Sequence, residues 1–130
     1  MSDILHLLDR GYTLLWREGR AEDAFTGIDD DFEWVVPDHP EGAVRHGPAG
    51  VMEFIREWVE PWAELDVDWE LHEAGPDRVL AIIDMRGRGR ESGVTAEMHF
   101  GQLWTFDGAR ATRMVMYYDI DDARRAAGLA

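Results

Sequence analysis

The second half of the chain alternates apolar and polar residues with a period of two, and this pattern constrains the fold more than any other feature. In residues 65–72, LDVDWELH, every second side chain is apolar, as in a β-strand that buries one face. Further strands are predicted over residues 78–88, 93–106 and 110–120, with turns at residues 74–77 and 107–108. Four strands joined by short turns predict an antiparallel meander.

The first half of the chain has a helical pattern instead. Apolar residues recur at intervals of three and four over residues 3–18 and over residues 48–62, which predicts two amphipathic helices. Smaller elements are predicted as a helix over 20–28, strands over 32–36 and 43–46, and a helical turn over 121–127. Helices that precede a strand meander indicate the α+β class, with the helices packed on one face of the sheet.

Composition indicates one globular domain that spans residues 1–130. Hydrophobic residues make up 45% of the chain, which suffices for a core, and the lack of cysteine excludes disulfides and thiol catalysis. The formal net charge of -14 repels nucleic acid and anionic membranes. Because the start of the sequence shows no leader-like or long apolar segment, we expect a cytoplasmic protein with no membrane or nucleic-acid partner.

Four segments carry a resemblance to a known superfamily. They read DDDFEWVVPD, VRHGPAGVMEFIREW, GQLWTFDGARATRMVMYYD and DDARRAAGLA. In this order and spacing, the chain resembles the SnoaL-like families of the nuclear transport factor 2-like, or ketosteroid isomerase-like, superfamily over residues 3–129. The resemblance implies an α+β roll, in which a cone-shaped, curved antiparallel or mixed sheet wraps around three helices from the N-terminal half and leaves a pocket at one end. The superfamily includes ketosteroid isomerase, polyketide cyclases, limonene epoxide hydrolase and proteins without known activity, so the fold alone does not determine the function.

The inward faces of the strands, together with two helices, are predicted to form a mostly apolar pocket. The more apolar of the two alternating sets on each strand must face inward. The predicted ligand-binding residues are Tyr12, Trp16, Trp34, Phe54, Trp58, Ile83, Met85, Met98, Phe100, Gln102, Met114, Met116 and Tyr118. Such a pocket suits a small, neutral, hydrophobic molecule.

Gln102 is the one polar side chain in the inward set of residues 93–106. One interpretation makes it a hydrogen-bond donor that holds a ligand's carbonyl or hydroxyl group together with Tyr12 or Tyr118. The resemblance places Gln102 where ketosteroid isomerase keeps an acidic donor for its substrate's oxygen. The other interpretation makes Gln102 a core residue that bonds to Tyr12 or to the backbone. The sequence leaves both interpretations open.

Asp38 and His39 are the candidate catalytic pair. A carboxylate beside an imidazole at the pocket mouth can act as acid and base near neutral pH. The resemblance places the base of the isomerase near Val36, which cannot transfer a proton. The polar positions of the epoxide hydrolase and of the cyclases fall on apolar residues, namely Ile83, Met85 and Met116. Any turnover is therefore expected to be isomerase- or cyclase-like acid–base chemistry, and whether the chain is an enzyme stays open.

No metal and no other cofactor are expected, because the histidines are not spaced for a shared metal site. On the outer face of the sheet, the apolar residues are Leu80, Leu103, Val115 and Tyr117. The resemblance implies that this face forms a homodimer. The basic run at residues 86–90 is expected to pair with carboxylates rather than with nucleic acid.

The leading hypothesis is therefore a SnoaL-like protein that binds a small hydrophobic molecule. One alternative is a ketosteroid isomerase-like or polyketide cyclase-like enzyme that acts on a carbonyl compound, with Asp38 or His39 as the base. Another alternative is a non-catalytic dimerisation module with a filled core.

Overall fold

The computed structural model describes residues 3–37 and 44–129. Helix α1 spans Asp3–Tyr12 and continues into one π-helical turn, Thr13–Arg17; α2 spans Ala21–Ala24, α3 Gly47–Val59 and α4 Ile120–Ala127. The strands are β1 Ile28–Val35, β2 Val44–His46, β3 Trp62–Glu73, β4 Arg78–Gly89, β5 Thr95–Asp107 and β6 Arg110–Tyr117. In these two ranges, no helix has both the length and the apolar character that a membrane span requires.

Within the described residues, six strands form one curved, open sheet in the order β2-β1-β6-β5-β4-β3. Neighbouring strands pair antiparallel, except that β1 lies parallel to β6 with Trp34 opposite Met114. The predicted meander from β3 to β6 is confirmed. The pairing of β1 with β6 makes the sheet mixed, and it places the segment after α2 beside the last strand.

The main core lies between one face of this sheet and helices α1 and α3. Strand β4 contributes Val79, Ala81, Ile83 and Met85 to it, all at most 2% exposed. From the alternation in residues 78–88, these four side chains are the set predicted to face inward, and that prediction is confirmed. Apolar contacts from α1 and α3 onto the strands bury large side chains, which stabilise the fold through the area that they remove from water.

A second, smaller core lies on the opposite face of the sheet. Helix α4 packs there on β4 and β5, and it covers Leu80, Ile82 and Leu103. Gly101 permits this close approach, because a Cβ added at that position would lie 2.5 Å from the Cβ of Ala123. The helices that precede the meander do share one face, as expected, whereas the segment predicted as a helical turn over 121–127 forms α4 on the other face. Leu80 and Leu103 are therefore buried under α4 instead of forming an exposed patch.

Two helices are shorter than predicted, for identifiable reasons. The helix predicted over residues 20–28 ends at Ala24, since the chain enters β1 at Ile28. The helix predicted over residues 48–62 ends at Val59, because the chain joins the β3–β4 ladder three residues later. Backbone pairing with a neighbouring strand therefore sets both ends.

The glycines of the basic run have a packing role. Gly87 is buried beneath the indole of Trp62, where an added Cβ would lie 2.6 Å from the ring. Arg86 and Arg88 point to the other side, at 2.9 Å from the carboxylate oxygens of Asp66, Asp68 and Glu64. The expected pairing with carboxylates is confirmed. The glycines also suggested a frayed or bulged strand end, and the register of β3 against β4 does shift there, between the pairs Trp62–Gly89 and Glu64–Arg88.

Candidate ligand-binding cavity

A cavity of about 310 Å³ lies between the α1–α2 region and the adjoining ends of β1, β5 and β6. Its inner wall is apolar, and the side chains Leu8, Leu14, Phe25, Ile28 and Phe106 are each at most 7% exposed. Its rim consists of exposed residues, namely Leu7, Arg10, Asp23, Thr26 and Ala109. The cavity therefore meets solvent beside α2.

A chain of three hydrogen-bonded side chains lies at the inner end of this cavity. The indole Nε1 of Trp104 donates to the hydroxyl oxygen of Tyr12 at 2.9 Å. The hydroxyl of Tyr12 in turn donates to Oε1 of Gln102. All three residues are at most 6% exposed, so bulk solvent has little access to these hydrogen bonds.

Secondary structure places the three side chains together. Gln102 and Trp104 are two residues apart on β5 and therefore share its inner face. Tyr12 is the last residue of α1, one turn after Leu8 on the buried side of that helix. The two elements contribute from opposite sides of the core, so the hydrogen bonds join a helix to the sheet.

Burial determines the protonation state of Tyr12. Removal from water raises the pKa of its phenol far above the usual range, and the hydrogen bond from Trp104 lowers that pKa by a smaller amount. The hydroxyl is therefore neutral at physiological pH and keeps the proton that it donates to Gln102.

The π-helical turn after α1 shapes the cavity wall. A π-turn holds more residues per turn than an α-helix and so rotates the buried face. As a result, the consecutive residues Leu14, Leu15 and Trp16 all border the cavity. Turns of this kind occur frequently at functional sites in proteins.

A second space, of only about 20 Å³, lies deeper in the core. It has room for about one water molecule. Its wall includes six of the predicted pocket residues that do not border the larger cavity: Phe54, Trp58, Ile83, Met85, Phe100 and Met116. These side chains pack tightly; for example, Nε1 of Trp58 lies 3.1 Å from the sulfur of Met85.

The thirteen predicted pocket residues thus separate into three groups. Tyr12, Trp16, Trp34 and Gln102 border both spaces, and the six residues just named border the smaller one. Met98, Met114 and Tyr118 border neither. Met114 is fully buried and Met98 half-buried, but Tyr118 is 40% exposed. The inward placement of Tyr118 is wrong, because β6 ends at Tyr117 and the strand alternation ends with it.

Trp34 carries a buried hydrogen-bond donor at the same place. Its Nε1 has no hydrogen-bond partner among the described residues, although most buried polar groups in proteins have one. The ring lies edge-on to Trp104, with centroids 6.0 Å apart. An unpaired donor therefore lies beside the hydrogen-bonded side chains.

Few acid–base groups lie at the larger cavity. At its rim, Asp23 pairs with Arg20 at 2.6 Å, and Arg10 lies on the opposite helix. The predicted catalytic residues Asp38 and His39 lie outside the described residues. Across the described ranges, no three His, Asp or Glu side chains are grouped to hold a metal ion.

Sequence reasoning missed much of the wall of the larger cavity. The missed residues come from the π-turn, from α2 and from the strand ends, and they include Leu14, Phe25, Ile28, Phe106 and Ala111. One signal was present in the sequence. The run Leu14-Leu15-Trp16 places three apolar residues in succession, which a regular amphipathic helix cannot bury on one face.

A model of the SnoaL-like domain family matches residues 8–114 of the chain. No curated protein sequence matches the chain. Several solved structures are similar to this chain over nearly the whole length of both chains, among them the following three.

The first is an NTF2-like protein of unknown function from Burkholderia pseudomallei, with a TM-score of 0.79 and 23% identity over 96% of this chain and 97% of that chain. The second is TerC, co-crystallised with polyporic acid, with a TM-score of 0.76 and 24% identity over 98% of this chain and 99% of that chain. The third is RV0760c from Mycobacterium tuberculosis in complex with estradiol-17beta-hemisuccinate, with a TM-score of 0.72 and 19% identity over 93% and 97% of the respective chains. At these identities, the likeness shows the fold.

Proposed function

The chain belongs to the SnoaL-like domain family, and from that premise we propose that it binds a small, neutral and mostly hydrophobic molecule in the cavity of about 310 Å³. The observation that carries the proposal is a single buried amide, Gln102, at the inner end of an otherwise apolar cavity. Apolar walls with a few oriented polar groups are typical of small-molecule sites.

The volume of the cavity and the lack of charge on its inner wall restrict the class of ligand that it can bind. The volume is near the lower end of the usual range for ligand sites, about 300–1,000 Å³. No charged side chain among the described residues lies on the inner wall, and Arg10 and Asp23 stand at the rim. An ion carried to the inner end would lose its hydration without a counter-charge, which favours a neutral group there.

Gln102 supplies the polar contact. Its side chain borders both the larger and the smaller space, so a ligand that enters beside α2 can reach it. We propose that it holds a carbonyl or hydroxyl group of the ligand, with Tyr12 behind it as a hydrogen-bond partner. Tyr12, Trp16 and Trp34 complete the inner wall.

Two similar structures hold small molecules, as TerC was co-crystallised with polyporic acid and RV0760c is in complex with estradiol-17beta-hemisuccinate. Their ligands support a binding role for this fold. The cavity also argues against a dimerisation module with a filled core.

We further propose a single domain over residues 1–130, a cytoplasmic location and a homodimer. Helix α4 covers part of the outer face on which that dimer was expected.

Binding can be tested with 1-indanone and indane, a bicyclic ketone and its parent hydrocarbon, by isothermal titration calorimetry. We expect 1-indanone to bind about fivefold more tightly than indane, because one hydrogen bond contributes about 1 kcal/mol. Ala24 borders the cavity, and Ala24→Leu should weaken binding of both probes about tenfold by narrowing it. Ala126→Leu on α4 is the matched control and should bind both probes like the wild type. Binding that survives Ala24→Leu unchanged, or no binding by the wild type, contradicts the proposal.

Native mass spectrometry of freshly purified protein provides an independent measurement. A co-purified molecule lost from Ala24→Leu but retained by Ala126→Leu would identify the natural ligand class. A co-purified molecule that both variants retain equally would place the binding site elsewhere.

A second candidate function is an isomerase or cyclase that acts on a carbonyl compound. The amide of Gln102 favours it, since its NH₂ group is a neutral donor that Tyr12 holds in an apolar site, and such donors stabilise negative charge that develops on an oxygen. The base would be Asp38 or His39. The test is conversion of cyclohex-3-enone into its conjugated isomer, followed by ultraviolet absorbance. Turnover that persists unchanged in the Asp38→Asn, His39→Ala double variant removes this candidate.

A further inference from the structure

We propose that Trp104 and Tyr12 are positioning residues that fix the Gln102 amide with its NH₂ group toward the cavity, so that the site takes hydrogen-bond acceptors and not donor-only ligands. The inference rests on the proposed function, because it names the ligand class of the same cavity. It assigns the specificity to side chains that lie behind the binding residue.

The first step is the direction of the hydrogen bond at Trp104. An indole Nε1–H can donate but cannot accept. It lies 2.9 Å from the hydroxyl oxygen of Tyr12, so that oxygen acts as the acceptor. The proton of the Tyr12 hydroxyl must then find an acceptor elsewhere.

The second step is the amide of Gln102, which is the other hydrogen-bond partner of Tyr12 among the described residues. With Oε1 toward Tyr12, the phenol proton is satisfied. With the amide turned by 180°, the NH₂ group would face the phenol oxygen, and the phenol proton would have no acceptor in a residue that is 5% exposed. Buried donors without a partner are costly, so the hydrogen bonds select the first orientation.

The groups of Gln102 that Tyr12 leaves unpaired are those that a ligand can use. Oε1 of Gln102 is turned toward Tyr12 and accepts its hydrogen bond, whereas the amide nitrogen donates no hydrogen bond to another described residue. Trp34 borders the same cavity, and its buried Nε1 has no hydrogen-bond partner among the described residues. The side chains at the inner end therefore offer donors that have no partner, while each acceptor oxygen already accepts one hydrogen bond within the protein. The oxygen of a ketone, ester or ether can accept a hydrogen bond from these donors. A ligand that has an N–H group but no acceptor atom cannot.

The sequence makes the orientation directly observable. Gln102 is the only glutamine, and the chain contains no asparagine. A ¹⁵N-labelled sample therefore shows one pair of side-chain amide NH₂ signals, which belongs to Gln102 without further assignment. We expect 1-indanone to shift this pair saturably, at the same concentration dependence as its heat of binding, while indole, which is a donor only, leaves the pair nearly unmoved.

Affinities measure the selectivity itself. For the wild type, we expect 1-indanone to bind about fivefold more tightly than indane, and indole to bind no more tightly than indane. In Tyr12→Phe the amide loses the group that orients it and can turn its oxygen to the cavity, so the ratio of 1-indanone affinity to indole affinity should fall toward one. Tyr117→Phe, on the outer face, is the matched control and should keep the wild-type ratio.

The possible outcomes separate this inference from the proposed function. Should all three probes bind the wild type with equal affinity, or should the ratio stay unchanged in Tyr12→Phe, the positioning role is wrong while cavity binding stands. Should no probe bind the wild type, both fail together. Because the NMR measurement needs no substitution, an unfolded Tyr12→Phe would still leave a decisive result: an NH₂ pair that indole shifts as strongly as 1-indanone overturns the inference.

Discussion

High pH is expected to destabilise the folded protein through Tyr12. Its side chain is 5% exposed, and burial raises the pKa of its phenol far above the usual range. In the unfolded chain, the same phenol has its pKa at about 10. Above that pH, the folded state holds one proton that the unfolded state has released, so stability falls as pH rises; below it, both states are protonated and the full stability is present.

The magnitude follows from that one proton. A difference of one bound proton changes the free energy of unfolding by about 1.4 kcal/mol per pH unit. Between about pH 10 and about pH 11.5, Tyr12 should therefore remove about 2 kcal/mol. The chain contains no lysine, and arginine stays protonated throughout this range, so few other groups titrate there.

The assay is urea unfolding, followed by tryptophan fluorescence, of the wild type and of Tyr12→Phe at a series of pH values from 8 to 11.5. All other titrating groups are common to both proteins, so the difference between their free energies of unfolding isolates Tyr12. At neutral pH, Tyr12→Phe should be less stable by about 2 kcal/mol, because Trp104 and Gln102 each lose a buried partner. That difference should shrink toward zero as the pH reaches about 11.5. If the free energies of unfolding of the two proteins instead change in parallel with pH, Tyr12 is not a buried, neutral phenol in the folded state.

Three further substitutions test the packing, each by urea unfolding at neutral pH. Gly101→Ala should destabilise by about 1–3 kcal/mol, since its new Cβ would lie 2.5 Å from that of Ala123; an unchanged midpoint would mean that α4 does not pack there. Met114→Ala should cost about 2–5 kcal/mol because Met114 is fully buried, and the half-buried Met98→Ala, its control, should cost clearly less. Arg88→Ala should leave the midpoint nearly unchanged at physiological salt, because its ion pair is exposed and screened; a large loss would show that this pair is more than a surface contact.

The strands could be predicted from the sequence because their signal is local. Alternation along residues 65–72 identifies one buried face without knowledge of any partner, and Val67 is indeed 2% exposed. The signal was weaker in β4, where the inward set was predicted correctly although Leu80 and Ile82 on the other face are apolar as well. Both faces of that strand are covered, one by the main core and the other by α4, so alternation carries little information there.

The two sequence interpretations of Gln102 turn out to be parts of one arrangement. Its oxygen bonds to Tyr12 as a core residue would, and its side chain borders the cavity as a ligand-binding residue would. Gln102→Leu is therefore expected to cost stability as well as affinity, because the Tyr12 proton would lose its acceptor. Sequence could name both residues, but the direction of their hydrogen bond depends on Trp104 as a third partner.

The sequence by itself determined the α+β class, the order of the elements and most of the inward set of the half-buried strands, because helical and strand periodicities are properties of short segments. The tertiary structure alone decided where space remains. The cavity exists because a π-turn, the four-residue helix α2 and the parallel pairing of β1 with β6 leave one end of the core unfilled. Six predicted pocket residues instead surround a space of about 20 Å³. Whether an apolar side chain packs against a neighbour or borders a cavity depends on how closely segments that are far apart in sequence approach each other. No local sequence pattern encodes how closely they approach.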